Sequence, residues 1–135
     1  MITAASEEIL IRPLFQGDKI SDVLPFVTKT ACFDDEEGCF GIYLREDDTF
    51  LGVCLCPEKN GQIILSLNED FRDHGYGHQA LTLCLDLLFG VYGRREIVAE
   101  WDLSLPGALK TLLSCGFEKD SGGFYRLTEA QWELL

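Results

Sequence analysis

Residues 65–78 read LSLNEDFRDHGYGH and join an apolar, strand-like run to the most regular helical pattern in the chain. Two glycines, Gly75 and Gly77, stand where that helix begins. Such a turn brings backbone N–H groups and the positive end of the helix dipole toward one point, and a side chain at either glycine would hold a phosphate away from them. The segment therefore predicts an anion site, although a glycine pair at a strand-to-helix junction is equally typical of a purely structural turn.

The helix after this turn is predicted over residues 77–89. Its polar side chains fall only at Gln79, Thr82 and Asp86, so one narrow stripe is expected to meet water while the apolar remainder is buried. Gly90 supplies a stop after the last apolar residue. The segment thus predicts a largely buried central helix.

A second helix is predicted over residues 106–115. Gly116 stands just past its end, where a left-handed residue is favoured. Leu109, Leu112 and Leu113 are expected to share one apolar face, through which the helix would pack on the rest of the domain.

Strands and helices alternate along the rest of the chain. Short polar turns between three consecutive apolar runs indicate an antiparallel meander. A short helix is expected to begin at Thr128, with Gln131 completing a capping box. Strands are predicted over residues 9–12, 39–45, 50–56, 63–67 and 96–101, a hairpin over 117–120 and 124–127, and a further helix over 18–29.

Length and charge limit the function classes. The 135 residues fit one domain of about 100–200 residues, and no repeat or linker interrupts residues 1–135. Eleven Lys and Arg against 23 Asp and Glu give a net charge of −12, which would repel nucleic acid and anionic lipid. No apolar run approaches the roughly 20 residues that span a bilayer, and the acidic start lacks the features of a signal peptide. We expect a soluble, cytoplasmic protein that binds neither nucleic acid nor membrane.

Six cysteines raise the question of a metal site or disulfides. Cys54 and Cys56 lie two apart in an apolar strand, but no second pair or histidine cluster stands at zinc spacing. Buried, reduced thiols are the favoured interpretation, and without a secretory signal a disulfide framework is not expected. The acidic run at residues 34–37 is interpreted as a solvated loop rather than a metal site.

The segment at residues 65–78 resembles motif A of the GNAT superfamily of N-acetyltransferases. That motif has Arg or Gln, two residues, Gly, one residue, and then Gly or Ala. A helix ending in Gly-Phe is similar to the family's second motif, and the order of elements also matches, so the resemblance covers nearly the whole chain. The residues that carry it are Ile11, Arg12, Pro13, Asp18, Leu65, Leu67, Phe71, Arg72, Gly75, Gly77, Ala108, Gly116 and Phe117.

The resemblance implies a mixed α+β fold with a splayed, mostly antiparallel sheet and flanking helices. Acetyl-CoA would lie in a cleft between the strand ending at Leu67 and the strand ending near Leu103. The main chain of Leu65, Ser66 and Leu67 would pair with the pantetheine arm, with one N–H facing the thioester oxygen. The pyrophosphate would be wrapped by Asp73, His74, Gly75, Tyr76, Gly77 and His78.

Two of these positions have alternative interpretations. Arg72 fits the motif but could equally be a surface ion-pair partner. His74 and His78 are four residues apart and could face one metal ion, yet phosphate contacts are favoured, so no metal site is predicted.

The catalytic chemistry implied by the resemblance departs from the usual pattern in two places. Relatives often carry an Asn before the second helix and a Tyr on it that protonates the leaving thiolate, and these places hold Leu105 and Leu112 here. Some relatives carry a Glu base five residues before the Asn, which is the position of Glu100. Glu100 is therefore the candidate base, and a solvated or ion-paired glutamate is the alternative.

The function implied is acetyl transfer from acetyl-CoA, as cosubstrate, to a primary amine of a small molecule or peptide. The acidic charge would favour a cationic acceptor such as a polyamine, an aminoglycoside-like sugar or a peptide N-terminus, although it serves solubility equally well. The alternative is a degenerate module that binds CoA without turnover and acts through a partner. A monomer and a homodimer both remain open.

Overall fold

The computed structural model describes residues 3–13, 38–56, 62–67, 75–99, 101 and 107–135. The helix predicted over residues 18–29 and the acidic run at residues 34–37 lie outside this part of the chain. In chain order the described elements are β1 (Ala4–Ala5), β2 (Ile9–Pro13), β3 (Cys39–Leu44), β4 (Phe50–Leu55), β5 (Ile64–Leu67), α1 (Tyr76–Gly90), β6 (Glu96–Ala99), α2 (Ala108–Ser114), β7 (Glu118–Lys119), β8 (Tyr125–Thr128) and α3 (Glu129–Glu133).

These elements form a mixed α+β fold with two antiparallel sheets, which confirms the predicted class. One sheet has the order β1-β2-β3-β4-β5, and the other has the order β6-β8-β7. The meander from β3 to β5 is confirmed, since each strand pairs antiparallel with the next along the chain. The two-residue β1 was not predicted, because two alanines carry no alternation of apolar and polar residues.

The two sheets meet at one point. Gln62 and Val98 form a parallel bridge just before β5 and within β6, and Ile63 N donates to Val98 O at 2.8 Å. The Trp101 indole Nε1 donates to Ile63 O at 2.9 Å. On their other edges β5 pairs with β4 and β6 pairs with β8, and no further strand pairing joins the two sheets among the described residues.

The core lies between the larger sheet and α1. Buried residues of α1, among them Leu81, Cys84 and Leu88, pack with Ile9 and Ile11 of β2 in one apolar cluster. Thr82 and Asp86 are exposed and Gln79 is half-buried, which confirms the predicted polar stripe. Among the described helices, none is long and apolar enough to cross a bilayer.

The predicted leucine face of α2 is wrong in part. Leu112 is fully buried, whereas Leu109 is 38% exposed and Leu113 is 53% exposed. The other buried side chain near the end of this helix is Cys115, three residues after Leu112. A helix of seven residues presents only about two side chains to a neighbour on each face, and the periodicity did not reveal which face that is.

The cysteines divide into free and bonded groups. Cys54, Cys56 and Cys84 are free and buried, as predicted. A hydrogen bond with the Cys84 thiol, together with complete burial, holds the pKa of Cys54 well above its ordinary value, so this thiol stays protonated. Cys39 is disulfide-bonded, so the expectation of reduced cysteines is wrong at this position. That expectation rested only on the absence of a secretory signal. Such an absence does not indicate which cysteine side chains lie close together.

The C-terminal helix closes the far end of α1. Thr128 Oγ1 accepts from Gln131 N at 3.2 Å, and Gln131 Oε1 accepts from Thr128 N at 2.9 Å, so the predicted capping box is confirmed. Trp132 stacks on Phe89 with ring centroids 5.3 Å apart. These contacts fix α3 against the last turns of α1.

Gly52 sets the separation of β4 and β5, because it pairs with Leu67 across the ladder. A Cβ at this position would collide with the Ser66 carbonyl oxygen and lie 2.8 Å from Leu67 Cα, and both are backbone atoms that cannot turn away. We expect Gly52→Ala to lower the free energy of unfolding by about 1–3 kcal/mol in urea denaturation.

The matched control is Gly90→Ala. A Cβ there would lie 3.5 Å from Trp132, an ordinary contact, and alanine is the better helix residue. Its free energy of unfolding should stay the same or rise by up to about 1 kcal/mol. Equal stability of the two variants would show that β4 and β5 are not held this closely.

Candidate functional site

The candidate site begins at the N-terminus of α1. Gly75 is the residue before the helix and has φ of 79°, a left-handed conformation that side-chain-bearing residues rarely adopt. No side chain caps this end, and the first turn carries no acidic residue. No carboxylate of the first turn therefore competes for the N–H groups or for the positive end of the helix dipole. The predicted anion site requires this.

Gly77 brings three elements together. A Cβ added at Gly77 would lie 3.9 Å from Leu67 Cδ1 at the end of β5 and 3.9 Å from Thr111 Oγ1 on α2. A methyl group would fit between them, but a longer side chain would cover the first turn of α1. The missing side chain thus leaves a gap that β5, α1 and α2 surround.

Several predicted site residues lie around this gap. Leu65, Ser66 and Leu67 are the last three residues of β5. They are half-buried and pair with β4 on one edge of the strand. Gly75, Tyr76, Gly77 and His78 lie at the start of α1. Arg72, Asp73, His74 and Glu100 fall outside the described residues, as does Leu105.

The His78 side chain connects α1 to α2. Its Nδ1 lies 2.8 Å from Ser114 Oγ, and Ser114 Oγ donates to the Thr111 carbonyl at 2.9 Å. Cys115 Sγ lies 3.6 Å from the same Nδ1 and 3.7 Å from Thr82 Oγ1. The sequence analysis missed the roles of Ser114 and Thr111, because no spacing along the chain shows that the end of α2 meets the start of α1.

Burial governs the chemistry of Cys115. It raises the pKa of this thiol, although hydrogen bonds with Thr82 and Ser114 act in the opposite direction. The thiol beside His78 is therefore neutral near pH 7. Within the described part of the chain, no three His, Cys, Asp or Glu side chains gather as metal ligands would.

Strand β6 ends one residue before the candidate base, Glu100. Ile97 and Ala99 are buried while Glu96 and Val98 are half-buried, so the two faces of this strand alternate in burial. Glu96 forms an ion pair with Arg126 of β8, the residue that lies opposite Val98 in the β6–β8 ladder. Glu100 follows Ala99 directly in the sequence.

The position where relatives carry a proton-donating Tyr holds a hydrocarbon side chain in the core. Leu112 is fully buried and belongs to the main apolar cluster. On the same helix, Thr111 and Ser114 are the polar residues near the start of α1. The described part of the site therefore offers no side-chain acid at the place expected for one.

Comparisons with known proteins agree with this geometry. Residues 6–117 match the model of the acetyltransferase (GNAT) family. No curated protein matches the sequence significantly. Spermidine N-acetyltransferase from Vibrio cholerae, solved with CoA and spermine, has a TM-score of 0.75 at 14% identity over 95% of this chain and 99% of that one.

Two further solved structures have the same fold. Ribosomal-protein-S5-alanine acetyltransferase from Vibrio fischeri has a TM-score of 0.72 at 14% identity, covering 98% of this chain and 99% of that one. An acetyltransferase of the GNAT family from Bacillus anthracis has a TM-score of 0.70 at 14% identity, covering 96% and 99%. At such identities the likeness establishes the fold, and the family model confirms the resemblance found in the sequence.

The burial of the thiols predicts their reactivity. In the native protein Cys54, Cys56 and Cys84 should be alkylated slowly, and Cys115, at the surface end of α2, should react first among the free thiols. Peptide mass spectrometry after timed iodoacetamide treatment measures the order, with urea-unfolded protein as the control. Elemental analysis should find no stoichiometric zinc, and a zinc content near one per chain would contradict the assignment of these cysteines to the core.

Proposed function

Since the chain belongs to the GNAT family of acetyltransferases, we propose that it acts as a single domain over residues 1–135 that transfers an acetyl group from acetyl-CoA to a primary amine. The meeting of β5 and β6 at the Gln62–Val98 bridge carries the proposal, because strands that diverge after such a bridge would open a cleft lined by their peptide groups. The uncapped start of α1 lies beside Leu67, at the end of β5. A thioester with a phosphorylated tail matches both features.

The cosubstrate would lie along β5 with its pyrophosphate at α1. Backbone groups of Leu65, Ser66 and Leu67 would pair with the amides of the pantetheine arm, as a strand would. The N–H groups of the first turn of α1 would bind the phosphates, with Arg72, Asp73 and His74 supplying the preceding turn. The absence of a side chain at Gly77 would let the phosphorylated tail of the cosubstrate pass over the first turn of α1.

Acetyl transfer would proceed by direct attack of the amine on the thioester carbon. Alkyl amines are mostly protonated at neutral pH, so Glu100 would take the proton before attack. A backbone N–H of β5 would donate to the oxygen of the tetrahedral intermediate. As the C–S bond breaks, the thiolate would take its proton from water, because Leu112 has none to give.

The acceptor would be a cationic amine. A net charge of −12 attracts such molecules, and solubility is the alternative explanation for the charge. Two structural neighbours are a spermidine N-acetyltransferase and a ribosomal-protein-S5-alanine acetyltransferase. A polyamine, an aminoglycoside-like sugar or a peptide N-terminus is therefore the class to examine first.

A module that binds CoA without turnover is the second candidate. The burial of Leu112 favours it, since a relative that lost its proton donor could keep its cosubstrate site. Release of thiol from acetyl-CoA across a panel of amines distinguishes the two functions. Turnover with any amine supports the enzyme, whereas binding without thiol release supports the module.

Acetyl-CoA should stabilise the native protein. At about 100 times the dissociation constant it should add about 2.7 kcal/mol, or roughly 10 °C in melting temperature for a chain of this size. Gly77→Leu should abolish this shift while leaving the fold intact, because the Cβ fits but the isobutyl group fills the gap between Leu67 and Thr111. Differential scanning fluorimetry with and without acetyl-CoA makes the measurement.

Gly90→Ala serves as the control for that experiment, since it alters the opposite end of α1, near Trp132. It should keep the full shift. No shift of the wild-type protein at millimolar acetyl-CoA would refute the cosubstrate, and a full shift in Gly77→Leu would show that this turn is merely structural.

Glu100→Gln should lower kcat by about 100-fold at neutral pH with little change in the affinity for acetyl-CoA. The defect should shrink as the pH approaches the pKa of the amine, about 10, because the acceptor then loses its proton without a base. Glu96→Gln is the matched control: it makes the same change four residues earlier, where Glu96 pairs with Arg126, and should leave kcat unaltered. An unchanged neutral-pH rate in Glu100→Gln would remove Glu100 from the mechanism.

A further inference from the structure

The Trp101 indole is bonded to a carbonyl that a continuing strand pair would use. Ile63 N donates to Val98 O at 2.8 Å, and this bond belongs to the parallel bridge between the two sheets. If the parallel ladder continued, the next bond would run from the N–H of residue 100 to the Ile63 carbonyl. The Trp101 Nε1 donates to that same carbonyl at 2.9 Å. Both backbone polar groups of Ile63 therefore have partners on this edge, one of them a side chain.

The next backbone groups of β5 on this edge belong to Leu65. The peptide groups of successive residues in a strand point to alternate edges, so Ile63, Leu65 and Leu67 share the edge that faces β6. The opposite edge of β5 pairs with β4. A ligand that pairs with the β6 edge as a strand would can extend from Leu67 to Leu65, and it then meets the groups already bonded at Ile63.

The proposed cosubstrate would bring its acyl end to the indole. Its phosphates are proposed at the start of α1, beside Leu67. The four steps from Leu67 back to Ile63 span about 13 Å, which the extended pantetheine arm would follow. The thioester would then lie next to Leu65, with its acyl group directed toward Ile63 and Trp101. The backbone of the bridge closes the space behind them.

The indole is fixed in place and still partly accessible. Trp101 is half-buried and packs against the main apolar cluster. The bond from Nε1 to the Ile63 carbonyl sets the direction of the ring. A large ring held both by packing and by its polar atom forms a rigid apolar wall.

We infer that Trp101 is a specificity-determining residue that limits the acyl group of the cosubstrate to acetyl. The inference rests on the proposed function, and it adds what the backbone contacts do not supply, since those contacts are the same for every acyl-CoA. An acetyl group would fit between Leu65 and the indole. The two further methylene groups of a butyryl chain would meet the ring, and the bridge leaves no path around it.

Thiol release from acetyl-CoA and butyryl-CoA, with the amine that gives the fastest turnover, tests the inference. The kcat/KM of the wild-type protein should be at least tenfold lower for butyryl-CoA, because a rigid pocket rejects added methylene groups. Trp101→Ala should raise the butyryl-to-acetyl ratio of kcat/KM at least tenfold. Trp101→Phe is the milder change, and it should raise this ratio about threefold because a phenyl ring fills only part of the space.

Two controls separate the size of the indole from its support of the fold. Trp132→Phe makes the same change at the other tryptophan of the chain, which stacks on Phe89 near the far end of α1. Its butyryl-to-acetyl ratio should equal that of the wild type. Free CoA has no acyl group, so isothermal calorimetry should give it the same affinity for the wild type and for Trp101→Phe.

An unchanged ratio in both Trp101 variants, or a wild-type protein that uses butyryl-CoA as well as acetyl-CoA, would overturn the role of Trp101 and leave the proposed function standing. A weaker affinity of Trp101→Phe for free CoA would also overturn it, by showing that the indole only supports the junction of the sheets.

If no amine is acetylated, the proposed enzyme fails and acyl-CoA affinities decide the inference. The wild type should then bind butyryl-CoA at least tenfold more weakly than acetyl-CoA, and Trp101→Ala should bind the two equally. Equal wild-type affinities would overturn the inference. A wild-type protein that binds no CoA at all would overturn both the inference and the proposed function.

Discussion

The bridge between Gln62 and Val98 joins two sheets that would otherwise have no strand-to-strand contact in the described structure. Ile63 anchors it on both sides, through its N–H to Val98 and its carbonyl to the Trp101 indole. Because these bonds fix the place where β5 and β6 meet, they also fix where the proposed cleft would open. The position of everything proposed to bind there would follow from this local constraint.

The second constraint is electrostatic. An acidic chain repels a phosphorylated ligand at long range, so affinity must come from donors fixed close to the phosphates. The helix end at Gly75 supplies backbone donors, and the first turn of α1 carries no carboxylate that would compete for them. In the proposed function, the surface charge would attract a cationic acceptor while the helix end would select an anionic tail.

Local patterns predicted most of the fold. The stripe of Gln79, Thr82 and Asp86 located the exposed side of α1, and Thr128 with Gln131 marked the last helix, because both features depend on residues within a turn or two of each other. The exposure of Leu109 and Leu113 could not be predicted, since the buried face of a short helix depends on what lies opposite.

The same limit applies to the candidate site. Motif spacing located the turn at Gly75 and Gly77 because its requirements are local. The pairing of His78 with Ser114 joins residues 36 positions apart, and nothing in either helix specifies the other. The order of the larger sheet has a further consequence, for the route of folding. Strands β1 to β5 each pair with a neighbour in sequence, with the longest connection running from Pro13 to Cys39, so this sheet can assemble from pairings of consecutive strands, whereas the bridge to β6 must wait until α1 has docked and brought Val98 back beside Gln62. The cleft would then be the last part of the protein to form and the first to open.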